Sequence, residues 1–414
     1  MQRNQFVVVF SHSNYTIYNA GVEKHIRELE KIYIENNMEY FHFFPLKKLP
    51  NLVGFNINGR FKGIVNIENI KYIISNYISE GHFLNNILLQ HIRGFDLNLL
   101  AKELKIINSK IILCIHDFYY LCNTFNFMKN GKEFCGISVP NKEKCYGCHN
   151  FPEILGFVED IEFILKNIDD NIEKVIFPSE FCRDIWCEFF PTYRERAYVR
   201  PLLDLDGKYK RMWNEKIRIA YVGRKNIYKG YDTWKKIVHQ FYGQYDLYYF
   251  GMDTEDEKAC KNIYVDGIDK IMLEELRKNN IDIVLLWSII PETYSFTYYE
   301  CSAAGTVILS NINSGNIAEQ IKINRNGFLF SSEKELIENM KNPDSLKNKI
   351  DIQCKLFAPL YLLPNNNIAL YLSSNNNNVL KKRKRIHICK VLSLLYYLKN
   401  IMFKNIQKYF DKQM

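Results

Sequence analysis

Two glutamates eight residues apart, Glu292 and Glu300, stand in the run Pro291-Glu292-Thr293-Tyr294-Ser295-Phe296-Thr297-Tyr298-Tyr299-Glu300. The apolar residues before them read as a strand and those after as a helix. The loop between the two carboxylates therefore exposes free backbone N–H groups at a helix start, a ready anion site. One carboxylate can reach a sugar hydroxyl and the other a ribose diol, with a diphosphate between. Seventy residues earlier, Gly223-Arg224 closes another apolar run, and Lys229-Gly230 follows five residues after Arg224. Glycine lets a backbone approach a ligand closely. Arginine offers a fork for phosphate oxygens and lysine a point charge. Breaking a sugar–diphosphate bond puts negative charge on the leaving phosphate. Two preorganised cations aimed there stabilise that charge without a metal. Taken singly, such charged residues are more often solvated surface side chains.

Elements that could hold such a site are legible around it. Residues 6–10 form an apolar strand, residues 11–21 a polar loop, and residues 22–36 carry apolar side chains at helical spacing. Strands over residues 86–90, 110–115 and 174–177, with helices near 97–104 and 155–167, continue the alternation. A second unit starts at the strand 217–222. It goes on through a helix at 232–241, strands at 247–250 and 282–287, a helix at 297–304 and a strand at 306–310. Alternating strands and helices predict parallel sheets, and two such units predict two doubly wound domains facing a cleft. The boundaries read as residues 1–205, 206–350 and a C-terminal extension 351–414.

The 414 residues suit two or three domains, and 47% hydrophobic with 24% charged residues excludes a wholly disordered chain. No apolar run of about 18 residues is present, so no helix is expected to span a membrane. Without a secretory signal at the start, the expected location is cytoplasmic. Eleven Cys in so long a chain do not make a disulfide framework. Four of them, Cys122, Cys135, Cys145 and Cys148, fall in the aromatic- and Cys-rich insertion 117–152, with one Cys-x2-Cys step. Two readings stand: four thiolates around a structural zinc, or reduced thiols with no metal. Asp204-Leu205-Asp206 is read as a pair of turn acids in the interdomain linker.

Of the net charge of +9, five positive charges are concentrated in Lys381-Lys382-Arg383-Lys384-Arg385, a patch for anionic lipid or nucleic acid. The Asn clusters 365–367 and 375–378 read as loops. Residues 388–410 carry Ile388, Val391, Leu392, Leu395, Leu398, Met402 and Ile406 at helical spacing. That segment either lies in a membrane interface or packs its apolar stripe back on the first domain.

The two carboxylate and cation segments together resemble the retaining GT-B glycosyltransferases of family four, also called group 1. Glu292 and Glu300 match that family's Glu-x7-Glu; Gly223, Arg224, Lys229 and Gly230 match its Gly-Arg and Lys-Gly; residues 303–307 match the continuation Ala-Ala-Gly-Thr-Val. The first half agrees over Ala20-Gly21-Val22-Glu23, Gln90-His91, His116-Asp117 and Pro178-Ser179-Glu180-Phe181, with Ala20 where the family has glycine. The resemblance covers residues 5–345. It implies a retaining, metal-independent transfer of a sugar from a nucleotide-diphosphate donor to a glycan or lipid-linked acceptor, in surface polysaccharide synthesis, with no nucleic-acid partner. It implies Glu300 on the ribose and Arg224 and Lys229 on the diphosphate. The backbone of Ser295 and Phe296 would meet the phosphates, and Glu292 the donor sugar. Gly21 and His116 would complete the site from the first domain. The alternatives are another activity of this fold, an epimerase or a phosphorylase, and a non-catalytic membrane- or nucleic-acid-binding protein.

Overall fold

The computed structural model describes residues 5–18, 20–206, 209–210, 213–252, 259–266, 271–354, 357–358, 361–365, 369–373, 386 and 388–400. Two main sheets dominate. The first contains β1 (Gln5–Phe10), β2 (Met38–Leu46), β3 (Leu49–Ile57), β4 (Arg60–Asn66), β5 (Phe83–Leu89), β6 (Ile111–Cys114), β7 (Ile172–Phe177) and β8 (Ala197–Val199). Its order is β8-β7-β6-β5-β1-β2-β3-β4. The second contains β9 (Arg218–Val222), β10 (Asp246–Gly251), β11 (Lys261–Tyr264), β12 (Ile283–Leu285), β13 (Val307–Asn311) and β14 (Gly327–Phe330). Its order is β11-β10-β9-β12-β13-β14 with every pair parallel, the doubly wound 3-2-1-4-5-6 arrangement. This is the fold class expected from the sequence: two parallel α/β domains.

β1 reads Gln-Phe-Val-Val-Val-Phe and is buried from Phe6 to Phe10, as a parallel strand covered on both faces must be. β9 shows how both layers are filled. Ile219 and Tyr221 join one core with Trp234 and Leu285, whereas Ala220 and Val222 join the opposite core with Phe250 and Tyr298. Helices Gly21–Glu35 and Tyr231–Phe241 cover these sheets through Ile26, Leu29 and Tyr33 in the first domain and Trp234, Ile237 and Phe241 in the second.

The first sheet departs from strict alternation. β2, β3 and β4 form an antiparallel meander. The turn into β4 is Asn58-Gly59, both at positive φ (49° and 72°), the pair a tight hairpin favours. The linker also differs from expectation. Asp204 and Asp206 are exposed residues of a short strand, Leu203–Asp206, which pairs antiparallel with Tyr361–Pro364, and are not turn acids.

After that pairing the chain returns to the first domain. Tyr371 is buried, its carbonyl accepts from Tyr33 Oη at 2.7 Å and Asn86 Nδ2 at 2.9 Å, and Arg200 Nη1 donates to its hydroxyl at 3.1 Å. The basic run 381–385, the second Asn cluster and residues 401–414 lie outside the described residues, as do Asn366 and Asn367 of the first cluster. Residues 390–400 are helical, and one face of that helix packs on the meander. Cys389 N donates to Ile64 O and Ile64 N to Ser393 Oγ, both at 2.9 Å. The Tyr396 ring lies 5.2 Å from Phe61 and 5.8 Å from Phe44. The opposite face leaves Val391, Leu394, Leu395 and Leu398 exposed. Among the described residues no helix is long and apolar enough to cross a membrane.

Candidate active site

In a doubly wound sheet the strand order reverses between the first and fourth strands, and ligands bind beyond the carboxyl ends there. In the second domain those strands are β9 and β12. Gly223 follows β9 at φ +124°, and a Cβ at that position would meet open space. Arg224 comes next and is exposed, its carbonyl held by Tyr221 Oη at 2.8 Å. A 3-10 turn, Ile227–Lys229, then carries the chain to Gly230. Gly230 has φ +84°, and a Cβ there would stand 2.1 Å from Trp287 O. This close approach presses Lys229 against the loop that leaves β12.

The result is a direct pair between two of the residues singled out in the sequence. Lys229 Nζ lies 2.5 Å from Glu292 Oε1, and Ser288 Oγ donates to the same oxygen at 2.9 Å. Glu292 is fixed by its backbone, since its N–H donates to Ser314 O at 3.2 Å and its carbonyl accepts from Asn316 N at 2.8 Å. Its side chain is only 12% exposed, against 42% for Lys229. The cation is thus the more exposed partner. The sequence reading assigned Lys229 to diphosphate and Glu292 to sugar without foreseeing this ion pair.

Ser295 caps the helix Phe296–Ala303, its hydroxyl accepting from Tyr298 N at 3.2 Å. Its own N–H already donates to Asn316 Oδ1 at 3.4 Å, a long bond that a better acceptor can replace. Glu300 lies on this helix, partly buried. Burial pushes its carboxyl above the usual range, and Lys24 of the first domain pulls the other way. Cys301 and Ala303 on the same helix, and Ala304 at its C-cap, are core residues.

The facing wall comes from the loops after β1, β5 and β6. His116 Nε2 is 2.7 Å from Gln90 Oε1. Burial, reinforced by nearby His91, lowers His116 to about 3, so its ring is neutral near pH 7. Asp117 Oδ2 is 3.2 Å from His91 Nε2, and its Oδ1 accepts from Tyr119 N at 2.9 Å. Burial alone would raise Asp117, but His91 and the Tyr119 N–H hold it below the usual carboxylate range. The His12 ring lies 4.7 Å from that of His91, tilted to it by 55°, and His12 is 3.3 Å from Glu23 Oε1, which also accepts from Ser13 Oγ. Burial, with His91 adding to it, lowers His12 to about 4.

Several contacts join the two walls. Thr293 Oγ1 donates to His116 O at 2.5 Å, and Ser179 Oγ donates to Thr293 O at 2.7 Å. A Cβ on Gly21 would stand 3.3 Å from the Phe296 ring, over which Lys24 Nζ sits at 5.1 Å. The structure therefore brings Gly21, His116, Lys229, Glu292, Ser295, Phe296 and Glu300 to one interdomain region, with Gly223 and Arg224 at its β9 edge. Cys122, Cys135, Cys145 and Cys148 gather elsewhere, around a separate small cavity. The sequence reading missed His12 and the pairing of His91 with Asp117. Their signal is position: His12 and His91 both fall two residues after a strand that flanks the first sheet's crossover.

Among solved structures the chain is similar to Anabaena Alr3699/HepE, crystallised with UDP, at 12% identity over 85% of this chain and 96% of that one, TM-score 0.49. It is similar at 13% identity to a glycosyltransferase from Rickettsia africae ESF-5, covering 85% and 94%, TM-score 0.49. The pneumococcal O-GlcNAc transferase GtfA, crystallised with UDP and GlcNAc, shows 9% identity over 84% and 91%, TM-score 0.47. No protein-family model matches the chain, and no curated protein does.

Proposed function

We propose that the protein is a retaining glycosyltransferase that moves a sugar from a nucleotide-diphosphate donor to a hydroxyl of a glycan or lipid-linked acceptor, without a catalytic metal, in the building of a surface polysaccharide. The observation that carries this reading is the Lys229–Glu292 pair at the switch point of the second sheet, next to Thr293, whose hydroxyl donates to His116 O of the first domain. A lysine already poised on a carboxylate can move to an incoming phosphate, freeing Glu292 for the donor sugar while Ser288 keeps it oriented. Arg224, beside Gly223, adds a second cation. Glu300 accepts from the ribose, and the N–H groups of Ser295 and Phe296 meet phosphate oxygens. As the bond from the anomeric carbon to the diphosphate oxygen breaks, the acceptor oxygen bonds the same face of that carbon. Its proton passes to the departing phosphate. Neutral His116 donates to or accepts from a sugar hydroxyl without adding charge.

Glu300→Gln tests the donor assignment. A buried charged hydrogen bond to ribose contributes about 1–3 kcal/mol, so nucleoside-diphosphate affinity should fall by that amount in calorimetry. Unchanged affinity for every nucleoside diphosphate that the parent binds would contradict the role given to Glu300.

The tail supports peripheral association with an anionic membrane face. Val391, Leu394, Leu395 and Leu398 are 73%, 58%, 57% and 47% exposed, beside Lys390 and Lys399 and downstream of the basic run 381–385. An amphipathic helix with basic flanks binds anionic interfaces, at about 1 kcal/mol for each basic residue near the surface. Because the other face of this helix holds the meander, truncation would uncover Phe44 and Ile64. A cleaner variant is Leu394→Glu with Leu395→Glu. The parent should sediment with anionic vesicles and less so in high salt. The variant should stay in solution with unchanged melting. Equal sedimentation of both proteins, or none of the parent at low salt, would remove the membrane from the proposal.

A further inference from the structure

Between β6 and the helix Glu153–Ile168 the chain has little regular structure. It makes two two-residue strands, Met128–Lys129 and Glu133–Phe134, and one helical turn, Lys142–Cys145. A segment of some 35 residues buries too little apolar surface to hold one shape unaided, and such units commonly rely on disulfides or metals. Its own buried apolar residues are Phe118, Leu121, Cys122 and Phe127; with Ile154 they pack against Phe181, Ile185 and Phe189, and Cys135 and Cys145 lie against the same cluster.

All four cysteines of the segment line one cavity of about 20 Å³, room for a single occupant the size of a water molecule. They come from three places in the chain. Cys122 ends the turn after Asp117, and its Sγ is 3.2 Å from Thr124 Oγ1. Cys135 follows the second short strand, and its thiol donates to Phe127 O at 2.9 Å. Cys145 and Cys148 are joined by a type II turn: Tyr146 has φ −56°, ψ 129°, Gly147 has φ +77°, and Cys148 N donates to Cys145 O at 2.9 Å. That turn places two cysteines of one Cys-x2-Cys step on the same cavity. Lys129 and Lys144 also line the cavity, Lys129 Nζ on Tyr146 O and Lys144 Nζ on Ser138 Oγ, each at 2.6 Å.

We propose that Cys122, Cys135, Cys145 and Cys148 bind one zinc ion as four thiolates and that this clasp fixes the segment. Structural zinc sites are closed and tetrahedral, and four cysteines are one of their usual ligand sets. Binding converts four thiols to thiolates, releases four protons and leaves two net negative charges, which Lys129 and Lys144 offset. Among the described residues no three ligating side chains stand in ion-binding geometry as they are, so the sulfur atoms must close inward across the cavity. The clasp has a consequence for the site already described. The segment opens with Asp117, which holds His91, and its first turn is pinned by Phe118 N on Phe125 O at 3.1 Å. Losing the ion would loosen the wall that carries His91 and Asp117.

The test uses the full chain purified without chelator and then dialysed against zinc. About one tightly held ion per chain is expected. Cobalt in its place should give the intense near-ultraviolet thiolate band and the visible bands of tetrahedral coordination. Cys145→Ser with Cys148→Ser should lose the ion, whereas Cys389→Ser in the tail should keep it. If the double variant does not fold, titrating the parent with a mercurial should release one zinc as four thiols react. A parent that holds no zinc after dialysis, a cobalt complex without the thiolate band, a double variant that keeps its full zinc, or a disulfide between any two of the four cysteines would overturn the proposal.

Discussion

Lys229→Ala is expected to lower nucleotide-sugar turnover by about a hundredfold or more, the cost of removing a preorganised group that stabilises developing charge. Lys229 sits on a 3-10 turn that Gly230 presses against Trp287, so its ammonium is delivered to Glu292. The loss should fall mainly on kcat, because the charge on the leaving phosphate grows in the transition state. Stability should change less than activity, since the Lys229 side chain is 42% exposed and Ser288 Oγ still donates to the Glu292 carboxylate. Arg224→Ala should act in the same direction. Full activity in Lys229→Ala would show that another group meets the leaving phosphate.

Gly230→Ala is expected to destabilise the second domain by about 3 kcal/mol or more. A backbone in the left-handed region costs a residue with a Cβ of order 1 kcal/mol, and a Cβ 2.1 Å from Trp287 O forces the backbone apart as well. Gly223→Ala is the contrast. Its φ of +124° is also unfavourable for alanine, but a Cβ there meets no atom within 4 Å. Urea unfolding should therefore rank Gly230→Ala well below Gly223→Ala. Equal midpoints for Gly230→Ala and the parent would mean that the turn does not hold Lys229 as described.

Much of this was legible in the sequence where the signal is local. β1 and β9 are short continuous apolar runs, the helices Gly21–Glu35 and Tyr231–Phe241 have a clear period, and Glu292 and Glu300 are bracketed by a strand and a helix. The meander 38–66 is hard to read because β2 and β3 are aromatic-rich and partly uniform rather than alternating; its Asn58-Gly59 turn is the available sign. The Lys229–Glu292 and Thr293–His116 bonds join residues 63 and 177 positions apart. No spacing rule reports such pairs, because they are made by the crossover connections of the sheets and by the meeting of two domains. The His12–His91–Asp117 cluster belongs to the same class. The tail shows a subtler limit. Apolar residues at helical spacing marked a helix, but not that Ser393 and Tyr396 would face the meander while Leu394 and Leu395 faced away.

Turnover of a panel of nucleotide-diphosphate sugars, followed by release of the nucleoside diphosphate in the presence of EDTA, bears most directly on the assignment of this cleft to sugar transfer. The parent protein should consume one donor class with the chelator present, and Lys229→Ala and Glu292→Gln should each lower that rate by about a hundredfold while remaining folded. Release that depends strictly on Mg²⁺ or Mn²⁺, release undiminished in both variants, or a folded parent that turns over none of the donors would contradict it.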